Sequence, residues 1–216
     1  MLKLENVTYR YAKGGPAVLD NISCEFSAGR LNAVTGPSGS GKTTLLSIIA
    51  GMDKPTEGDV LINGESLKTL DLDRYRRENV AMIFQAFHLF PLLTAIENVC
   101  LPMELNGTAT KEATVRAAEL LETLGISPEM HGRYPSNLSG GEQQRVAIAR
   151  SLASGARLLL ADEPTGNLDQ ANSNNIIAIL KQLAHERDYC VIIVTHDMDA
   201  AAEADVLFKM RDGLLR

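Results

Sequence analysis

The sequence predicts an α/β fold, a mixed sheet with an antiparallel β subdomain and a helical subdomain. Three observations carry that expectation. Residues 1–35 alternate apolar and polar positions in short runs, broken by Gly14-Gly15-Pro16 and Ala28-Gly29-Arg30, as antiparallel strands and their turns do. Two short, almost wholly apolar runs, 157–161 and 190–194, alternate with amphipathic segments, the pattern of parallel strands covered by helices on both faces. From Ala86 to about Asn137 strand signals vanish and a helical period replaces them.

The elements follow in order. Leu2, Leu4 and Val7, then Val18, Ile22 and Phe26, mark the early strands. Leu31–Thr35 is a strand running into a glycine-rich loop, and Thr43–Ala50 a helix stopped by Gly51. Val60–Asn63 and Val80–Phe84 are strands. In the insert, Thr110–Leu124 carries Val115, Ala118, Leu121 and Leu124 at helical spacing, with Gly125 at the stop. There follow a helix Gly140–Ala153, a strand Arg157–Ala161, a helix Ala171–Glu186 with the stripe Ile176, Ile179, Leu180 and Leu183, a strand Cys190–Val194 and a short helix from Met198. This organisation predicts one domain over residues 1–216, its core (1–85 and 138–216) interrupted by a helical insert at 86–137.

With 216 residues, 45% apolar and 22% charged, the chain can bury a core without disulfides or metals. A net charge of −6 opposes broad binding to nucleic acid. Cys24, Cys100 and Cys190 are far apart and form no C-x-x-C pair, so they read as small buried thiols. No stretch reaches the ~18 apolar residues of a membrane span, and the N-terminus lacks the plan of a signal peptide. The expectation is a soluble, cytoplasmic chain whose role at a membrane comes through a partner.

Chemistry concentrates in three places. Gly36-Pro37-Ser38-Gly39-Ser40-Gly41-Lys42-Thr43-Thr44 fits G-x-x-x-x-G-K-[ST] between a predicted strand and a predicted helix, the signature of a P-loop NTPase. Its curled backbone turns N–H donors inward, and with the helix N-terminus these cradle phosphate oxygens. Lys42 is placed for the β and γ phosphates and Thr43 for Mg²⁺. The strand 158–161 ends in Asp162, suited to hold magnesium, and Glu163, suited to polarise an attacking water; Glu163 also reads as a plain turn carboxylate before Pro164. Leu138-Ser139-Gly140-Gly141-Glu142 opens a helix. Ser139 and Glu142 make a capping box that needs no ligand. Two glycines in a first turn weaken a helix by ~1 kcal/mol each relative to alanine, so close approach of something to the backbone explains them better, and a helix N-terminus favours an anion.

These three motifs, in this order and spacing, resemble the nucleotide-binding subunit of an ABC transporter, over essentially the whole chain. The resemblance implies an ABC-type nucleotide-binding fold with a RecA-like core. It also implies ATP and Mg²⁺ as ligands and a head-to-tail homodimer in which the phosphate loop of one copy faces Ser139, Gly140 and Gly141 of the other. Hydrolysis to ADP and phosphate is the implied reaction. The resemblance further implies that Tyr11 stacks on adenine, with Tyr9 a neighbouring contender and strand packing the plain reading. It assigns Gln85 to Mg²⁺ or the attacking water, His196 to the γ-phosphate, and Asp169 to contact across the dimer, although Asp169 also reads as the N-cap of the following helix. Glu142 stands where many family members have glutamine, and no appended regulatory domain is expected after Arg211-Asp212-Gly213.

Phe87-His88-Leu89-Phe90-Pro91-Leu92-Leu93 is unusually apolar. It reads either as core of the helical subdomain or as a groove for a cytoplasmic helix of a membrane subunit, with Pro91 and Gln85 in a segment that moves. Gly36-Pro37-Ser38, Glu97-Asn98-Val99 with Leu101-Pro102-Met103, and Thr165–Asp169 are similar to the MacB/LolD lipoprotein-release branch. That similarity implies an integral-membrane permease of the FtsX/MacB/LolC kind and work in export or extraction. An FtsE-like mechanotransmitter is the alternative. A nucleic-acid ATPase is opposed by the acidic charge, and a small-molecule kinase by Ser139–Glu142 and His196.

Overall fold

A computed structural model describes residues 2–216. Ten strands and seven helices run in the order β1 (Leu2–Tyr9), β2 (Leu19–Phe26), β3 (Arg30–Thr35), α1 (Lys42–Ile49), β4 (Glu57–Ile62), β5 (Glu65–Ser66), α2 (Leu72–Glu78), β6 (Val80–Phe84), α3 (Ala95–Leu105), α4 (Thr110–Thr123), α5 (Gly140–Ala153), β7 (Leu158–Asp162), α6 (Gln170–Arg187), β8 (Cys190–Thr195), α7 (Met198–Ala202), β9 (Val206–Arg211) and β10 (Leu214–Leu215) among the described residues. Two 3₁₀ turns, Pro128–Met130 and Pro135–Asn137, link α4 to α5.

The strands form two sheets. One is antiparallel, in the order β2-β1-β4-β5. The other runs β10-β9-β3-β8-β7-β6 and is parallel except for the β9–β10 hairpin. In the parallel sheet the side-chain period of two divides the apolar runs between two cores. Along β8, Val191 and Ile193 face one side while Ile192 and Val194 face the other. Along β7, Leu159 and Ala161 oppose Leu158 and Leu160 in the same way. One core lies between this sheet, α1 and the antiparallel sheet, with Leu4, Phe26, Leu46 and Val60 in it. The second lies under the helices, with Val99, Leu121, Ile148 and Ile176. Strands covered on both faces must be apolar throughout, which is why 158–161 and 190–194 show no polar alternation.

The insert is helical, as its period predicts, but α4 is turned relative to the predicted stripe. Val115 is 55% exposed. Leu121 and Leu124 are buried as predicted, but Ala113 and Ala117 take the place of Val115 and Ala118 at the start of the stripe, because alanine lets α4 approach α3 closely and the larger valine is left outside. A second correction concerns β3. Its run of 30–35 follows antiparallel strands in sequence, yet it pairs in parallel with β8 and β9. Elements absent from the sequence reading are α2, β5, β9 and β10. Only Tyr75 is buried in α2, so no apolar stripe announces that helix.

Candidate active site

The carboxyl ends of β3, β6, β7 and β8 meet at one edge of the parallel sheet and open on a cleft of about 910 Å³. Strand-end loops are where open α/β sheets gather ligands. Tyr11, Lys42, Thr43, Gln85, Asp162 and Glu163 line it.

Residues 36–41 curl between β3 and α1. Gly41 has φ 108°, and a side chain there would meet the Val18 carbonyl at 2.8 Å, so the position admits only glycine. Gly36 is pressed against the Met210 carbonyl. The first turn of α1 has no acidic residue and no side-chain cap, so its N–H groups are left for an anion. Lys42 is buried and folds back over the loop, its Nζ donating to the carbonyls of Gly36 (2.8 Å) and Pro37 (3.0 Å).

Thr43 Oγ1 lies 3.4 Å from Asp162 Oδ1. Burial pushes the Asp162 carboxyl above its ordinary value, opposed by the Thr43 hydroxyl and the nearby Lys42. The hydroxyl and carboxylate are hard oxygen donors side by side, a set that suits Mg²⁺.

Glu163 follows with φ 49°, an uncommon conformation for a non-glycine residue. Its carboxylate is held from three sides. Thr195 Oγ1 donates to Oε2 (3.1 Å), the His196 backbone N–H donates to Oε2 (3.3 Å), and His196 Nδ1 sits 2.9 Å from Oε1. The His196 ring is 72% exposed, so its other nitrogen faces outward. Thr195 was missed in the sequence. A threonine closing an otherwise all-apolar strand was the available signal.

Tyr11 is 73% exposed. Its hydroxyl pairs with Thr44 Oγ1 at 3.0 Å, and Tyr9 meets its ring edge-on at 5.2 Å. Tyr9 packs on the core beneath and has Asp53 at its hydroxyl, so of the two tyrosines it is Tyr11 that lines the cleft, along with Phe84 and His88. Gln85 lines the cleft with its Nε2 3.3 Å from Asn167 Oδ1, and Asn167 Nδ2 donates back to the Gln85 carbonyl at 2.9 Å. Gly166 gives the Gln85 amide its room, since a Cβ there would lie 2.7 Å from Nε2.

Ser139, Gly140 and Gly141 do not reach this cleft. They open α5, where the capping box is complete: Ser139 Oγ accepts from Glu142 N, and Glu142 Oε2 accepts from Ser139 N at 2.7 Å. The two glycines separate here. Gly141 is crowded by its own chain: a side chain there would force the Asn172 amide, which Asp169 holds, to shift. Gly140 has only ordinary contact with Leu168 at 3.4 Å, and close approach from outside remains the explanation for it. Asp169 caps α6 through Asn172 N (2.8 Å) and also holds the Asn172 amide that fills the space beside Gly141.

The apolar segment 87–93 divides between its two readings. Leu89 packs on the helical core. Phe90 is 48% and Leu92 86% exposed. The buried Asn98 staples this stretch, its Oδ1 accepting from Phe90 N and its Nδ2 donating to the carbonyls of Phe90, Leu93 and Thr94. All three cysteines are free; Cys100 and Cys190 are buried and Cys24 is half-buried.

A phosphate loop between β3 and α1, facing two acidic residues at the end of β7 with β8 between the two strands, defines a P-loop ATPase. The chain belongs to the ABC transporter family, whose profile matches residues 19–166. It is 37% identical over 213 residues to the uncharacterized ABC transporter ATP-binding protein YclH of Bacillus subtilis, covering 99% of this chain and 94% of that one. It is 44% identical to the macrolide export ATP-binding/permease protein MacB of Shigella flexneri, covering 99% of this chain but 33% of MacB. Among solved structures, the dimer of the bacterial ABC transporter cassette MJ0796 is similar with a TM-score of 0.89 at 40% identity, over 100% of this chain and 97% of that chain. A post-hydrolysis dimer of MJ0796 bound to ADP and Pi gives 0.89 at 39% identity, over the same shares. The chain is thus an ATP-binding and ATP-hydrolysing subunit of an ABC transporter.

Proposed function

We propose that two copies of this chain clasp MgATP head to tail, each cleft being completed by Ser139, Gly140 and Gly141 of the other copy, and that closure and release drive a separate membrane permease. One observation carries the reading. The α5 N-terminus, with its unexplained Gly140, lies outside its own cleft, so each copy holds two half-sites that cannot serve one nucleotide. The dimeric MJ0796 cassettes support it.

Residues 1–85 and 138–216 act as the catalytic core and 86–137 as the helical insert. The amides of Gly36–Thr44 and the Lys42 ammonium bind the β and γ phosphates. Tyr11 offers its exposed face to adenine. Thr43, Gln85 and Asp162 are the residues that would hold Mg²⁺, which supplies charge neutralisation at the phosphates when bound. Glu163 orients and deprotonates water, and His196 holds the γ-phosphate while steering Glu163. Asp169 holds Asn172 beside Gly141 of the Ser139–Glu142 motif, and with that motif it communicates with the nucleotide site across the dimer interface.

MacB of Shigella flexneri is an ATP-binding/permease protein, and this chain spans a third of it. That supports pairing with a permease of the FtsX/MacB/LolC kind, with the cassette held peripherally on the cytoplasmic face of the membrane. The exposed Phe90 and Leu92 are the docking residues for it. The named relatives are transporters, which favours export or extraction over mechanotransmission.

Light scattering on Glu163→Gln tests the clasp. MgATP should double its mass, and ATP without Mg²⁺ should not. A variant that stays monomeric with MgATP bound would remove the proposal.

A further inference from the structure

The turn after Gln85 is held from a distance. Phe87 and His88 are consecutive non-glycine residues with φ of 57° and 49°. L side chains avoid this region singly, and a tandem pair persists only where the surroundings impose it. Local bonds are few: Phe87 N to the Phe84 carbonyl (3.3 Å) and His88 N to the Ala86 carbonyl (2.5 Å). The outside hold comes from Arg150, in the last turn of α5. Its Nη1 donates to the His88 carbonyl at 2.6 Å and its Nη2 to the Phe87 carbonyl at 3.1 Å. The guanidinium also lies 5.8 Å from the centre of the Phe90 ring.

Arg150 is an unusual choice for packing alone. Burial lowers its pKa below the ordinary guanidinium value, and among the described residues no carboxylate pairs with it. A desolvated cation without a counter-charge is costly. What it provides is a rigid fork whose donors span two adjacent carbonyls, which no apolar residue and no lysine supplies. The same helix reaches the other side of Gln85. Gln144 is wholly buried and donates to the Pro164 carbonyl at 2.7 Å, with the Phe84 carbonyl at 3.5 Å.

We propose that Arg150 is a positioning residue for Gln85: by clamping the carbonyls of the left-handed Phe87-His88 turn it fixes how the chain leaves β6, and so how the Gln85 amide faces the cleft. This rests on the Gln85 role given above. Because α5 also begins at Ser139 and Gly140, one rod carries both the partner-facing motif and the clamp on the chain's own Gln85.

A double-mutant cycle on ATPase kinetics tests it. Arg150→Met should lower kcat by about tenfold with KM within about twofold, and in a Gln85→Ala background the same substitution should change kcat by less than about twofold, the non-additivity of residues acting through one another. Arg150→Lys, which keeps the charge and loses the fork, should fall between. Equal losses on both backgrounds, or an effect confined to KM or to Tm, would overturn the proposal. If Arg150→Met does not fold, the lysine variant completes the cycle, and failure of both to fold overturns it by showing a role in folding alone. A Gln85→Ala variant with parental kcat would instead remove the Gln85 assignment and this proposal with it, whereas a defective Gln85→Ala with additive losses removes this proposal alone.

Discussion

At the scale of single residues, two neighbouring glycines separate structural from functional demand. Adding a methyl at position 141 drives it into Asn172, and overpacking of this kind costs about 1–3 kcal/mol. Gly141→Ala should therefore lower Tm, by roughly 2–4 °C for each kcal/mol in a chain of this size. Gly140→Ala has room in its own copy and should leave Tm within about 1 °C while lowering ATPase activity. Thermal melts beside rate measurements check both. Lys42→Ala should lose nucleotide affinity by calorimetry, because Nζ is the cation that already crosses the mouth of the loop. Much at this scale was legible beforehand. The loop, Asp162 and Glu163 were picked out by residue type and position along strand ends and His196 by the family resemblance, and all of them line one cleft. Gln144 and Arg150 were not legible, because they act through carbonyl groups and a carbonyl leaves no mark in a sequence, whereas Thr195, which donates to the Glu163 carboxylate, left only the trace of a threonine closing an apolar strand.

At the scale of elements, capping decides two helix starts. Glu97 and Glu142 accept from the N-cap backbone of α3 and α5, and those bonds hold both carboxyls below their ordinary value of 4.5. A folded-state pKa below the unfolded one gives stability that is present above about pH 4.5 and is lost as pH falls through the depressed value. Melts between pH 6 and pH 3 should show stability falling through this range, and Glu142→Gln, which can still accept from Ser139, should make that fall shallower. A pH profile unchanged by the substitution would dismiss the α5 cap as a contributor. The elements read correctly were those with strong local signals: α5, with its capping box, and the all-apolar β7 and β8. The misses share a physical origin. β9 reads Val-Leu-Phe-Lys-Met-Arg, with only Met210 fully buried, so its place in the sheet comes from pairing with β3 rather than from its own pattern. The α4 stripe was turned because alanine counts little in hydrophobicity and much in close packing.

At the scale of the whole molecule, the proposed clasp makes each copy the carrier of two half-sites. The parallel sheet sets Lys42, Asp162, Glu163 and His196 along a single edge, whereas α5 presents Gly140 elsewhere. Docking to a membrane subunit belongs to this scale too. Leu92→Glu, at an 86% exposed position in a turn that Asn98 staples at Phe90 and Leu93, should leave the ATPase of the isolated chain within about twofold, since surface changes away from packed features cost little. It should abolish co-purification with the permease, and retained co-purification would move the docking surface elsewhere. The central claim, one triphosphate held by two copies, is tested most directly by mixing. Lys42→Ala and Gly140→Asp should each be inactive alone. Their equimolar mixture should hydrolyse ATP, because a heterodimer joins one intact phosphate loop to one intact α5 N-terminus. Parental activity in Gly140→Asp alone, or a mixture as inactive as its parts, would contradict the account.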